Sequence, residues 1–241
     1  MENLIKKLDL NEYITNFSKL FAREKSIILE GDINIHYKII SELSKYNINQ
    51  PLSVQNLDSQ LMHLQKQGVL RVYEIYEFIK IINYFLYLKR FNFEGKLFEW
   101  MDKIIIPNDI LKICEYFDDK ANLKEGVDED FDNIKQAIYK NKEEIKQSLY
   151  KTINSSKIKP YLVDMQVHFI NEQECLLVRG GFNHILSGSV IDRSNSGFFY
   201  VIPHSVSDLK EKQSDLKNKQ EEILFKLCKE ISHIFEKNLL F

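Results

Sequence analysis

Apolar residues along this chain repeat with two different periods, and the changes between them mark three zones. In the first, roughly residues 2–125, the repeat is helical. Leu52 to Gln67 and Arg71 to Lys89 carry apolar positions three and four apart, which places them on one helix face. Gly68 between them predicts the stop of the first helix, because glycine enters the left-handed conformation without steric cost. Asn108 is placed to cap a helix carrying Ile110, Leu111, Ile113 and Phe117. The acidic run from Asp118 to Asp132 closes the zone as a solvated linker.

The second zone opens where Asp128-Glu129-Asp130 can cap and charge a helix N-terminus. Phe131, Ile134, Ile138, Ile145, Leu149 and Ile153 then recur at steps of three, four or seven. A matching stripe appears much later: Val206, Leu209, Leu216, Ile223, Leu227, Ile231 and Ile234. Each stripe is narrow and flanked by charge, which predicts two long helices paired along a seam. At about 1.5 Å per residue, the earlier helix is on the order of 40 Å long.

Between those stripes, residues 161–203 switch to a period of two. Val163, Met165, Val167 and Phe169 alternate with Asp164, Gln166 and His168, the pattern of a half-buried strand. Cys175 to Val178, Ser187 to Ile191 and Gly197 to Ile202 read as three more strands, and four in succession predict an antiparallel meander. Glycine and proline support the division. The chain has eight glycines and four prolines, yet Gly180, Gly181, Gly188, Gly197, Pro160 and Pro203 all fall between residues 160 and 203. The fold class expected is therefore mainly α: a helical core over 1–125, and an antiparallel pair of long helices over 126–160 and 204–241. A small antiparallel β insert over 161–203 sits at the tip of that pair.

Charge narrows function little. The formal net charge is −2 over 241 residues, so overall charge selects no polyanionic partner. The three cysteines, Cys114, Cys175 and Cys228, are far apart and odd in number, and read as buried free thiols in a reducing cytoplasm. The first residues lack the apolar stretch of a signal peptide. The most apolar segment, Val72 to Leu88, is interrupted by Glu74, Glu77, Lys80 and Asn83, so it reads as a buried helix and not a membrane span.

Catalytic motifs are missing from the pattern. Gly95-Lys96 is followed by Leu97 and has no partner glycine upstream, so no phosphate-binding loop is formed and no ATP site is expected in this chain. Ser194, Asn195 and Ser196 beside Asp192 read as a polar turn, since no histidine lies within it. His168, His184 and His204 are irregularly spaced and suggest no metal site, and the acidic run lacks the spaced ligands and central glycine of a calcium loop. The candidates left for contact with a nucleic acid are Lys157, Lys159, Arg179, Asn183, His184, Arg193, Asn195 and His204, of types that bond phosphate or sugar. Asp164, Glu172, Glu174, Asp192 and Asp208 share the zone, so the sequence alone shows no basic patch.

Four segments carry a family resemblance. Lys7-Leu8-Asp9-Leu10-Asn11-Glu12-Tyr13-Ile14 opens the chain, and Gln67-Gly68-Val69-Leu70 hinges a helix pair. Phe117-Asp118-Asp119 leads through Gly126-Val127-Asp128 to Phe131-Asp132-Asn133-Ile134. Gly188-Ser189-Val190-Ile191-Asp192-Arg193-Ser194-Asn195-Ser196-Gly197 is followed by Tyr200-Val201-Ile202-Pro203. In order and spacing these resemble the N-terminal part of the MutS-II proteins, the branch of the MutS family tied to recombination control. The last segment departs from the family in having Ile191 where a histidine stands, in lacking a glutamate before Pro203, and in running one residue shorter.

The resemblance implies a core bundle, two lever helices and a clamp at their tips, with no catalysis by this part. It further implies a following ABC-type ATPase that binds ATP and Mg and forms a homodimer, and usually a C-terminal Smr nuclease. The apolar stripe still running at Asn238-Leu239-Leu240-Phe241 is expected to lead toward that ATPase. Family members bind branched DNA and oppose recombination, and some act on stalled ribosomes. Two readings follow: a nucleic-acid clamp from a dimeric cytoplasmic ATPase, or a protein-docking module that contacts, for example, the ribosome.

Overall fold

The computed structural model describes residues 7–23, 31–182 and 184–240. The chain divides into two compact units, one of Met1–Val127 with Lys226–Phe241, the other Asp128–Phe225.

The first unit is helical: α1 (Asn11–Ser18), α2 (Ile33–Leu43), α3 (Asp58–Gln65), α4 (Val72–Leu88), α5 (Gly95–Asp102) and α6 (Asn108–Glu115). The last turns of α8 (Ser207–Lys237) join them from Lys226 onward. The apolar period of α4 buries Ile75, Ile79, Ile82 and Leu88 on one face, and the Glu74 carboxylate caps its start by accepting from the Arg71 amide at 2.8 Å. Among the described residues no helix is long and apolar enough to cross a membrane. The Ser232 hydroxyl accepts from the Leu70 amide at 2.9 Å and donates to the Cys228 carbonyl at 2.7 Å. The Phe235 ring lies 5.4 Å from Phe78, so the end of α8 is part of this core. A second cluster of Leu88, Phe93, Leu97 and Met101 is closed by Tyr46, whose ring is 4.9 Å from Phe93.

Three local expectations shift. The helix expected from Leu52 starts only at Asp58. Side chains of α4 engage the backbone before it: the Gln55 amide donates to Glu77 at 3.1 Å, and Lys80 donates to the Ser53 carbonyl at 2.9 Å. At the other end of α3 the left-handed residue is Gln67 (φ 59°), not Gly68. The Gln67 amide returns to Leu64 and the Gly68 amide to His63, each at 2.9 Å, which closes the helix terminus. Gly68 instead leaves room for His63, since a Cβ there would lie 2.2 Å from the ring. Asn108 is the first residue of α6 and not its cap; the Pro107 carbonyl accepts the first helical bond, from Leu111 at 3.0 Å.

The second unit holds α7 (Glu129–Ile153), a four-stranded sheet of β1 (Leu162–Ile170), β2 (Gln173–Val178), β3 (Gly188–Arg193) and β4 (Phe199–Pro203), and the first part of α8. Asp128 caps α7 as expected, accepting from the Phe131 amide at 2.7 Å. The sheet is antiparallel, but its order is β1-β2-β4-β3 and not that of a meander. Both β2 and β3 pair with β4 and run parallel to each other. The physical reason is the nine-residue link 179–187 between them. At about 3.3 Å per residue it can reach roughly 30 Å, enough to run back along the strands and cross two strand spacings, about 9–10 Å, leaving a slot for β4.

The expected inner face of β1 also changes. Between the pairs Leu162–Val178 and Val167–Leu176, β1 advances five residues while β2 advances two. That odd surplus forms a bulge and reverses the alternation. Leu162 is buried and Val167 and Ile170 pack inward, while Met165 and Phe169 are exposed.

Ile145, Leu149 and Ile153 of α7 form one buried cluster with Leu162, Leu176, Val178 and Val201 of the sheet. Val206 of the later stripe is buried in the same cluster and Leu209 packs against it, so over these turns the start of the second stripe meets α7 together with the strands. Polar contacts between α7 and the start of α8 add to this apolar packing. Asn141 Nδ2 donates to the Leu209 carbonyl at 3.1 Å, the Ser148 hydroxyl donates to the Ser205 carbonyl at 3.2 Å, and Lys212 pairs with Glu144 at 3.6 Å. Ile223, expected in the seam, is only half-buried.

Candidate nucleic-acid interface

Antiparallel pairing sorts the charged residues of the insert between the two ends of the sheet. At one end Leu162, Val178, Phe199 and Arg193 form a single row across all four strands. Arg179 follows directly on β2; its amide donates to the Tyr161 carbonyl at 2.9 Å and its Nε to the Leu162 carbonyl at 3.2 Å, which fixes the guanidinium at the strand end. Arg193 ends β3 with its guanidinium carbon 5.3 Å from the centre of the Phe199 ring, a cation–π contact that holds the charge outward. These are the only two arginines of the second unit. Lys157 and Lys159 are exposed in the segment that leads into β1.

Between β3 and β4 the chain turns through Ser194–Phe198. The Ser194 amide donates to the Phe198 carbonyl at 2.8 Å, the Gly197 amide to the Ser194 carbonyl at 2.9 Å, and the Phe198 amide to the Ser194 hydroxyl at 3.1 Å. Ser194 is therefore spent on the turn, as its sequence suggests. Gly197 takes φ 82°, and a Cβ on Gly180 would stand 3.0 Å from the Gly197 carbonyl oxygen. These glycines let the two chain segments approach each other. Arg179, Ser196, Val163 and Phe198 line a shallow hollow of about 410 Å³ beside them, with Asn195 exposed on the same turn.

The opposite end of the sheet carries Glu174, paired across to Phe169, and the Gly188–Pro203 pair. Glu172 lies in the β1–β2 turn, and Asp208 in the first turn of α8. Three of the five carboxylates that mask any basic patch in the sequence are thus removed to the far end. Of the other two, Asp164 lies 3.0 Å from His168 Nε2, and Asp192 accepts from the Arg193 amide at 2.7 Å. Burial alone would raise the Glu174 carboxyl. Lys210 at 2.5 Å, the residue's own amide and Lys142 together hold it below the ordinary glutamate value.

The candidate residues accordingly divide. Arg179, Arg193 and Asn195 come together at the near end, with Lys157 and Lys159 on the approach to β1. His204 is exposed at the far end, where its amide donates to the Ser187 carbonyl at 2.9 Å. His184 is exposed in the link between β2 and β3, and Asn183 lies outside the described residues. Sequence reasoning missed Phe199 and Gly180 as supports of this end, because only the strand register brings them beside Arg193 and Gly197. Among the described residues no group of three or more histidine, cysteine or acidic side chains could hold a metal ion. In the acidic run Asp118 instead accepts the Lys120 and Asn122 amides, each at 2.8 Å. Cys175 and Cys228 are buried and Cys114 half-buried; burial pushes each thiol up to about 11.

No protein-family profile matches the chain. It is 31% identical over 243 residues to a protein named endonuclease MutS2 from Helicobacter pylori strain 26695, an alignment covering 99% of this chain and 32% of that protein. The protein of the same name from Helicobacter pylori strain J99 is 32% identical over 243 residues, with the same coverage. The chain is thus similar to these two proteins along nearly its whole length, and it spans about a third of theirs.

Proposed function

We propose that this chain is the N-terminal, non-catalytic, nucleic-acid-gripping part of a MutS-II-type protein. The first unit is its core, α7 and α8 are its levers, and the sheet is its clamp. The gripping end is the one that carries Arg179 and Arg193, with Lys157 and Lys159 beside it. One observation carries this reading: the sheet gathers both guanidiniums of its unit at one end, next to a glycine-permitted close turn, and carries Glu172, Glu174 and Asp208 to the other. The likeness to two MutS2 endonucleases supports the choice of a nucleic acid as the partner. The parent protein is then a dimeric ATPase, possessing nuclease activity, that acts on branched DNA and restrains recombination.

Recognition at this end is of backbone and shape. Two arginines offer too few bidentate groups to read base edges, and the short Gly and Ser turn suits close approach to phosphate. Four cations neutralise at most about four phosphates, so log affinity should fall against log salt with a slope of roughly −2 to −4 on duplex DNA. Titrating the chain with duplex and four-way-junction DNA across a salt series tests this directly. A slope in that range supports the reading, and salt-independent or sequence-selective binding contradicts it. A protein-docking role is the second reading, favoured by the exposure of Met165 and Val190 on the sheet. Absence of binding to any nucleic acid at low salt would select it.

A further inference from the structure

A second face of the same unit has a different chemistry. Lys135, Tyr139, Lys142, Lys146 and Tyr150 fall within about 80° of one another around α7 at 3.6 residues per turn, and span about 22 Å along it. All five are exposed, Tyr139 at 69% and Tyr150 at 47%. Lys142, Lys146 and Tyr150 line a groove of about 420 Å³ whose other wall includes Phe169 of β1, 67% exposed, and Lys217 of α8. Large aromatic rings this open to water gain nothing for folding and are suited to stacking on a flat partner.

Charge selects the partner. Of the carboxylates that line the groove, Glu174 is engaged by Lys210. Glu143 and Glu172 remain at the groove and Asp132 lies on the same face of α7, against Lys135, Lys142, Lys146 and Lys217. Cations alternating with open rings are the arrangement that binds unpaired polynucleotide, whose bases are free to stack while lysines follow the phosphates. Paired bases in a duplex offer no such face.

We propose that the Lys–Tyr face of α7, completed by Phe169, binds a short single-stranded stretch of nucleic acid. This rests on the nucleic-acid reading above and adds a second, strand-selective surface to the sheet end. A site for unpaired strand and a site for duplex backbone on one unit together favour a junction between the two.

The test uses the 241-residue chain with a fluorescein-labelled 20-mer oligo(dT) and, separately, a mixed-sequence 20-base-pair duplex. The variant Tyr139→Ala/Tyr150→Ala/Phe169→Ala removes three exposed rings, and a thermal melt matching the wild type verifies its fold. We expect oligo(dT) affinity to fall about 10-fold or more, with duplex affinity changed by less than about twofold. Lys142→Gln/Lys146→Gln should make the oligo(dT) salt slope shallower by about 1.4. Unchanged oligo(dT) binding by the ring variant, or an equal loss on duplex, overturns this inference. Wild-type binding to duplex but not to oligo(dT) also overturns it and leaves the sheet-end reading standing. Oligo(dT) binding that depends on the rings, with no duplex binding at all, overturns the sheet-end reading instead. Failure to bind either probe overturns both and turns this face toward a protein partner.

Discussion

Ile145 and Ile223 have equivalent places in the two apolar stripes, so truncating each to alanine separates two ways of holding the second unit together. Ile145 is 1% exposed and sits among Leu149, Ile153, Leu162, Leu176, Val178 and Val201. Removing most of its side chain loses the transfer energy of three carbons and leaves a cavity that a sheet paired on both sides cannot collapse into. The expected cost lies in the upper part of the range for buried aliphatic truncations, about 3–4 kcal/mol. Ile223 is half-buried and lies outside the cluster that holds Ile145, so its loss should cost under about 1 kcal/mol. In a chain of this size 1 kcal/mol shifts Tm by about 2–4 °C, so Ile145→Ala should melt roughly 6–16 °C lower and Ile223→Ala within about 4 °C of wild type. Circular dichroism melts with urea titrations of the same samples measure both. Equal destabilisation by the two variants would refute the reasoning, because it would require the apolar contact that Val206 and Leu209 make with α7 to be sealed as tightly at Ile223.

Other expectations follow from single contacts. Gly188→Ala would place a Cβ 2.2 Å from the Ile202 carbonyl oxygen, a backbone atom of β4, and should cost about 2 kcal/mol or more; a melt unchanged from wild type would contradict the register. Lys210→Met should cost about 1 kcal/mol at neutral pH by releasing Glu174. The Glu174 carboxyl is held below its unfolded value, so its contribution is present above the glutamate range and lost as pH falls through the folded value. The gap between wild type and Lys210→Met should therefore close in urea titrations on acidification, and a gap that widens would refute the pairing. The three thiols, pushed from 9.0 to about 11, should react with a disulfide reagent at pH 8 at least about 100-fold more slowly in the native chain than in denaturant. Rapid native labelling of any of them would contradict their burial.

Much of this fold is legible from periodicity, because periodicity reports which side of an element meets the core. Val72–Leu88 has the same bounds in sequence and structure, and Asp128 caps the helix it precedes. The misses arise where a partner distant in sequence competes for the backbone. Glu77 and Lys80 hold residues 53 and 55 out of a helix that local pattern would start at Leu52. The β1 bulge reverses an alternation that looks unambiguous, since three surplus residues are invisible until the partner strand is known. The candidate site shows the same limit. Its residue types were readable, and its polarity was not, because Glu172 and Glu174 are neighbours of Arg179 in sequence but lie at the other end of the sheet.

The Arg179–Arg193 end of the sheet is proposed to grip nucleic acid by its backbone. The most direct measurement compares wild type, Arg179→Ala/Arg193→Ala and the far-end control His204→Ala in binding four-way-junction and duplex DNA across a salt series. Removing two phosphate contacts should make the duplex salt slope shallower by about 1.8 and weaken binding about equally for all sequences, while His204→Ala leaves affinity and slope unchanged. An arginine variant that binds like wild type, or a His204 variant that loses as much, would contradict the account.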